Sequence, residues 1–324
     1  MKYENNTKII NWAINTLLSL GYKLDNNIPE VIQNTPWSNV IRFKTSHGYV
    51  YLKHMPKNLA LEAPIIELLF KNIKAAVPNV IAKNNELDCF LMEDAGISLR
   101  TILKKQFDIN IACKAVEQFM ILQISAVSYV RDFMKIGVPD WRLDKLSEIF
   151  SKLLLEKELL INDGLSEEEI KTLENLIPII SKLCNKLSCY SVQESIVQCD
   201  FHDNNILVDT KSHKLTNIDL GEIVISHPLF SLIGFLNQMK KHYGLQESDE
   251  KYQNIKNAGL KKYENDHVNY NKLLNAFDEA KVLWIIYESL GQYRLIQACD
   301  RDAIMSYQRG KLSKALREFI SIQK

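Results

Sequence analysis

The sequence predicts an α+β protein in two lobes. Residues 1–93 form a small antiparallel sheet with an N-terminal helix and one inserted helix, and residues 94–324 form a larger, mostly helical body. Three observations carry this. Strand-like alternation and turn residues dominate up to residue 93, broken by a single helical stretch. The composition then shifts at Glu93-Asp94-Ala95-Gly96, a fitting place for a hinge. Beyond it helical periodicity prevails, interrupted by one short hairpin. The order sheet, hinge, helices, hairpin, helices implies a cleft between the lobes.

The elements follow in order. Ile9, Ile10, Ala13, Leu17 and Leu18 share one helical face, and Gly21 stops the helix. "EVIQN", "SNVIRFKTS" and "YVYLKH" read as strands, the last two joined by a turn at Ser46-His47-Gly48. "LALEAPIIELLFKNI" is helical after Pro56, and "PNVIAK" and "LDCFLME" are strands around Asn84-Asn85. Past the hinge, "ACKAVEQFMILQISAVSYV" and "LSEEEIKTLENLIPIISKL" are helices, the second opened by a capping box of Ser166 and Glu169. "ILVDT" and "KLTNIDL" form the hairpin around Lys211-Ser212-His213, and helices return from about residue 228.

Composition narrows the function. At 324 residues and 46% apolar, the chain buries a sizeable core. Forty Lys and Arg against 39 Asp and Glu give no basic excess, so no nucleic-acid partner is expected. Six cysteines form no C-x-x-C pair and read as thiols of a reducing compartment. The N-terminus lacks a continuous apolar core and a cleavage site, and no apolar run reaches bilayer length, so the expected location is cytoplasmic, with no membrane.

Chemistry concentrates in "SIVQCDFHDNNILVD", residues 195–209. Asp200 and Asn205 flank the start of the hairpin, and Asp219 in "NIDLGE" ends its second strand. Taken alone, Asp200 and Asn205 fit ordinary cap and turn positions. Together the three offer hard oxygen donors at one end of a hairpin, suited to Mg2+. Asn205 and Asp219 as metal ligands leave Asp200 to take a proton from an attacking hydroxyl, the division of labour of phosphoryl transfer.

"VQCDFHDNNILVD" and "KLTNIDLGE" resemble the catalytic and metal segments of the aminoglycoside phosphotransferase family, part of the wider protein-kinase-like fold. Asp200, His202, Asn205, Asp219, Gly221 and Glu222 match the pattern, while Gln198 and Cys199 replace its His and Gly. The resemblance implies a kinase-like fold with ATP, or alternatively GTP, and Mg2+ in the cleft. It implies Asp200 as base, Lys53 as phosphate clamp, and Glu62 as the clamp's helix partner, with Glu67 competing for that role. Backbone near Met92, Glu93 and Asp94 would meet the adenine. The loop before Lys53 has no glycine, leaving Ser38 and Asn39 to touch phosphate. Pro228 comes nine positions after Asp219, too few for a peptide-docking segment, which favours a small-molecule hydroxyl acceptor. A nucleotide-binding pseudokinase and a helical interaction protein are the competing readings. His202 and Cys199 are expected to pack, as are Trp284, Tyr287 and Tyr293; Glu247, Asp249 and Glu250 read as a solvated acidic patch.

Overall fold

The computed structural model of the chain describes residues 2–25 and 29–323. In the smaller lobe, β1 (Glu30–Asn34), β2 (Asn39–Thr45), β3 (Gly48–His54), β4 (Val80–Asn84) and β5 (Cys89–Glu93) pair antiparallel in the order β1-β2-β3-β5-β4. Alternation gives this sheet two faces. Ile41, Phe43, Val50, Leu52 and Leu91 meet α1 (Lys2–Ser19), whose Ile9, Ala13 and Leu17 close a small buried cluster. Leu18, expected on that helical face, is 54% exposed. One residue past Leu17, it is turned about 100° away. Phe90 and Met92 point the other way, into the core of the larger lobe.

The inserted helix begins later than Pro56. A short turn over Lys57–Leu59 precedes α2 (Glu62–Leu68). Pro64 lies in its first turn, where a missing N–H breaks no helical bond. After β5 the chain crosses between lobes at Gly96, with φ +111°. A Cβ there would stand 2.1 Å from the Val208 carbonyl oxygen, so glycine alone allows the crossing.

In the larger lobe, β6 (Ile97–Ser98) leads into α3 (Leu99–Lys105), α4 (Ile109–Ala126), α5 (Val130–Ile136), α6 (Leu143–Leu154), α7 (Lys157–Asp163) and α8 (Glu167–Ser188). The Ser166–Glu169 capping box opens α8. Ile109–Ile136, covering α4 and α5, is long and apolar enough by length and composition to cross a membrane, contrary to the sequence expectation. Its Ala112, Val116, Phe119 and Met120 are packed in the core.

Four short strands then carry the polar loops: β7 (Ser195–Val197), β8 (Ile206–Val208), β9 (Leu215–Asn217) and β10 (Val224–Ser226). The expected hairpin is β8–β9, and β6 from the hinge adds a third strand to it. β7 pairs with β10, which brackets both polar loops. The chain ends in α9 (Leu229–Tyr243), α10 (Glu250–Leu260), α11 (Tyr270–Ala298), α12 (Arg301–Gln308) and α13 (Lys311–Ile322).

Candidate active site

Strand alternation sends Lys53 of β3 through the sheet toward the larger lobe, and there it is buried. Its Nζ lies 2.5 Å from Glu62 Oε2 and 2.5 Å from Asp219 Oδ1. Burial opposes the ammonium charge, but the Asp219 and Glu62 carboxylates outweigh it and hold the Lys53 pKa above its ordinary value. Glu62 Oε1 accepts the Leu220 N–H at 3.1 Å, so one carboxylate joins α2, β3 and the loop after β9. Glu67, the competing partner, instead pairs with Lys83 at 2.9 Å on the outside of the lobe.

Asp219 does not end a strand. It lies two residues beyond β9 with φ 61°, a left-handed conformation that aims its carboxylate at Lys53. Gly221 follows because the smaller lobe comes close: a Cβ would meet Leu59 O at 3.1 Å and Glu62 Cβ at 3.4 Å. Gln198 stands where the resemblance would have histidine, and its Nε2 donates to Ile218 O at 3.0 Å and Asp219 O at 2.9 Å. That amide bridges the two polar loops, so the replacement leaves them joined.

The loop between β7 and β8 holds Asp200, with its side chain 61% exposed toward the cleft. His202 Nε2 lies 3.2 Å from Asp200 Oδ1. Its ring therefore orients the carboxylate, a polar task beyond the packing expected of it. Burial pushes the Asp200 carboxyl up, but the His202 contact and the charges of His202 and Arg100 outweigh it and hold it below its ordinary value. Asn205 Nδ2 donates to Asp200 O at 2.9 Å. Its amide nitrogen is engaged by the protein, and the amide oxygen remains for a cation. No cluster of three or more His, Cys, Asp or Glu that could hold a metal occurs among the described residues. A protein set of one amide and one carboxylate fits a magnesium ion, which keeps waters and phosphates as its other ligands.

Several residues here escaped the sequence reading. Asp203 is fully buried, accepts Arg100 Nε at 2.9 Å and Nη2 at 2.6 Å, and accepts the Tyr243 hydroxyl as well. This anchors the loop to α3 and α9. Arg294 of α11 donates to Glu222 O at 2.9 Å, fixing the end of the second loop. Tyr51, two residues before Lys53 and opposite Met92, is half-buried on the cleft face of the sheet. Alternation in "YVYLK" was its available signal.

At the hinge, the Glu93 N–H donates to Asn79 O at 3.1 Å and the Asp94 N–H to Tyr49 O at 3.3 Å. Neither is free for an adenine; the next N–H, of Ala95, has no protein acceptor among the described residues. Met92 is buried with the core. In the turn before β2, the Ser38 N–H donates to Thr35 Oγ1 at 3.1 Å and the Ser38 carbonyl accepts the Thr35 N–H at 2.9 Å. Ser38 thus closes the turn on itself, and Asn39 opens β2 opposite His54. Trp37, on the same turn, meets Tyr307 of α12 edge-on at 5.5 Å between ring centres.

Beyond Asp200 a cavity of about 570 Å³ opens between α9, α11, α12 and α13. Cys199 lines it, its Sγ 3.1 Å from the Tyr287 hydroxyl; burial pushes the thiol up to about 12 and keeps it inert. Trp284 packs against the core as expected and also lines the cavity, Tyr287 is buried, and Tyr293 packs against the core and bonds Glu156. Glu247 of the acidic patch pairs with Lys240 and Lys281.

Solved structures similar to this chain include small-molecule kinases. An ethanolamine kinase of Plasmodium vivax superposes with a TM-score of 0.61 at 13% identity, covering 90% of this chain and 84% of that one. The fold is kinase-like. A streptomycin–ATP complex of the phosphotransferase APH(2")-IIa gives 0.57 at 16% identity, over 98% and 95% of the two chains. A GDP complex of an aminoglycoside 2'-phosphotransferase gives 0.59 at 13%, over 97% and 98%. No protein-family model matches the sequence, and no curated protein matches it.

Proposed function

We propose that this protein is a phosphotransferase that moves the γ-phosphoryl group of ATP to a hydroxyl of a small molecule. The observation that carries the reading is Lys53, held at 2.5 Å between Glu62 and Asp219 in the cleft, beside an Asp200 carboxylate that opens onto a cavity. In the reaction the acceptor oxygen bonds to the γ-phosphorus, the bond to the β,γ-bridging oxygen breaks, and ADP leaves. Asp200, kept ionised and oriented by His202, takes the hydroxyl proton. Lys53 holds the phosphates, and Tyr51 offers a ring for the base to stack on, with the Ala95 N–H at its edge. Asn205 and Asp219 would hold Mg2+, which would supply positive charge against the phosphates. Two features support a small acceptor. The chain passes from Asp219 through β10 straight into α9, and structural neighbours include kinases of ethanolamine and aminoglycosides.

The test measures nucleotide consumption against a panel of hydroxylated metabolites and aminoglycosides, with the product located by mass spectrometry. Turnover is expected to require Mg2+ and to vanish in Asp219→Ala. ATP binding and turnover that persist in that variant without divalent metal would overturn the assignment.

A further inference from the structure

The cavity beyond Asp200 is lined by charges that the protein leaves without partners. Lys241 of α9 and Lys311 and Lys314 of α13 line it, and none pairs with an acidic group among the described residues. All three are exposed, whereas neighbouring Lys240 and nearby Lys281 both pair with Glu247, at 3.1 and 3.0 Å. Glu222 and Glu288 line the same cavity, also without an ion pair. Burial, with the Glu318 and Asp200 carboxylates, pushes Glu288 up to about 7, against the pull of Lys314 and Lys241. Opposite charges thus share one space without neutralising each other at contact. Two further residues, Gln292 and Gln308, line the same space, and the Oε1 of each is buried with no donor; Gln308 is only 7% exposed. A buried acceptor without a donor carries a desolvation cost that a ligand hydroxyl or ammonium would relieve.

We infer that the acceptor is a hydroxylated zwitterion, whose anionic group meets Lys241, Lys311 and Lys314 and whose cationic group meets Glu222 and Glu288. The inference rests on the phosphotransferase reading, since it assigns the acceptor of that same site. A purely cationic acceptor would satisfy the glutamates and be repelled by the three lysines. A purely anionic one would meet the reverse. A molecule with both charges completes both sets, and its hydroxyl groups supply donors to Gln292 and Gln308 and the attacking oxygen to Asp200. A cavity of this size admits a ligand of dipeptide or sugar dimensions.

The dipeptide Ser-Gly separates charge from shape. Four forms share one skeleton and one hydroxyl: free, N-acetylated, C-amidated and doubly blocked. Calorimetry on the full chain with Mg2+ and ATP analogue present measures affinity, and phosphate transfer is assayed alongside. The free form is expected to bind about tenfold or more tightly than each blocked form, the scale of one charge-assisted contact. Lys311→Gln with Lys314→Gln should erase its advantage over the C-amidated form alone. Glu288→Gln should erase its advantage over the N-acetylated form alone. C-amidated Ser-Gly binding as well as the free form overturns the inference, as does equal or negligible binding of all four. Charge-dependent binding without nucleotide consumption would sustain it while removing the phosphotransferase reading.

Discussion

Two sets of lysines face the same cleft under opposite conditions. Lys53 is 4% exposed and has a carboxylate on either side at 2.5 Å, one of them buried behind it on α2. Lys241, Lys311 and Lys314 line the cavity beyond Asp200 without an ion pair among the described residues. The wall at Lys53 is therefore internally paired, and the wall beyond Asp200 carries lysines without an ion pair among the described residues. The difference follows from chemistry. Under the proposed function, phosphates and metal would be the same in every cycle, so a fixed constellation would serve them without reorganisation during reaction. An acceptor is recognised by what the pocket lacks, because groups left unpaired discriminate against molecules that cannot satisfy them.

The largest expected effect lies where the two walls meet. Asp200→Asn keeps size and hydrogen bonding but removes the charge that accepts the proton. Its side chain is largely exposed, so melting temperature and nucleotide affinity should stay close to those of the unaltered protein. With a confirmed acceptor, kcat is expected to fall by about 10²–10⁴. Near-normal turnover would reduce Asp200 to a turn residue and leave the cleft a binding site without chemistry.

The comparison of lysines sharpens next as a matter of stability. Sequence alone makes Lys53 a strand-end residue that could be removed at little structural cost, and its burial reverses that expectation. Lys53→Ala leaves Glu62, 1% exposed, without its counter-charge. Breaking such a buried pair costs about 3–5 kcal/mol, whereas an exposed lysine is worth well under 1. Thermal unfolding should therefore drop clearly for Lys53→Ala and hardly at all for Lys314→Gln. Lys53→Met combined with Glu62→Leu should recover much of the loss while activity remains absent. Equal melting temperatures for Lys53→Ala and Lys314→Gln would remove the contrast between the walls.

What the sequence disclosed and what it hid divide along a physical line. Periodic elements were legible, because alternation in β2, β3 and β5 and the helical repeat of α1 and α8 are local signals. So was the cluster of Asp200, Asn205 and Asp219, since its members lie within twenty residues and their chemistry restricts the residue types. The supports were not legible. Arg100 reaches Asp203 across 103 residues, and in sequence Gln198 is only a departure from a pattern, whereas in the fold its amide bonds Ile218 and Asp219. The acceptor cavity was least accessible of all. Its walls come from α9, α11, α12 and α13, and no periodicity distinguishes a helix face that lines a cavity from one that faces solvent.

The smallest expected effect tests whether the two walls communicate. Trp37 lies on the turn between β1 and β2, in the smaller lobe, yet it lines the acceptor cavity and meets Tyr307 of α12 edge-on. That contact links the segment before Lys53 to the helices that carry Gln308 and Lys311. An aromatic pair of this geometry is worth about 0.5–1.5 kcal/mol beyond its buried area. If the contact only tethers the lobes, Trp37→Ala and Tyr307→Ala should each lower stability slightly and leave KM for both substrates unchanged. If it helps close the cavity over the acceptor, each should raise the acceptor KM several-fold with little change in nucleotide affinity, and the double variant should be no worse than either single one. The second pattern is expected, because Trp37 lines the cavity and the Ser38 backbone beside it is closed into its own turn. Additive losses in the double-mutant cycle would show that the rings act separately and that each wall is built on its own.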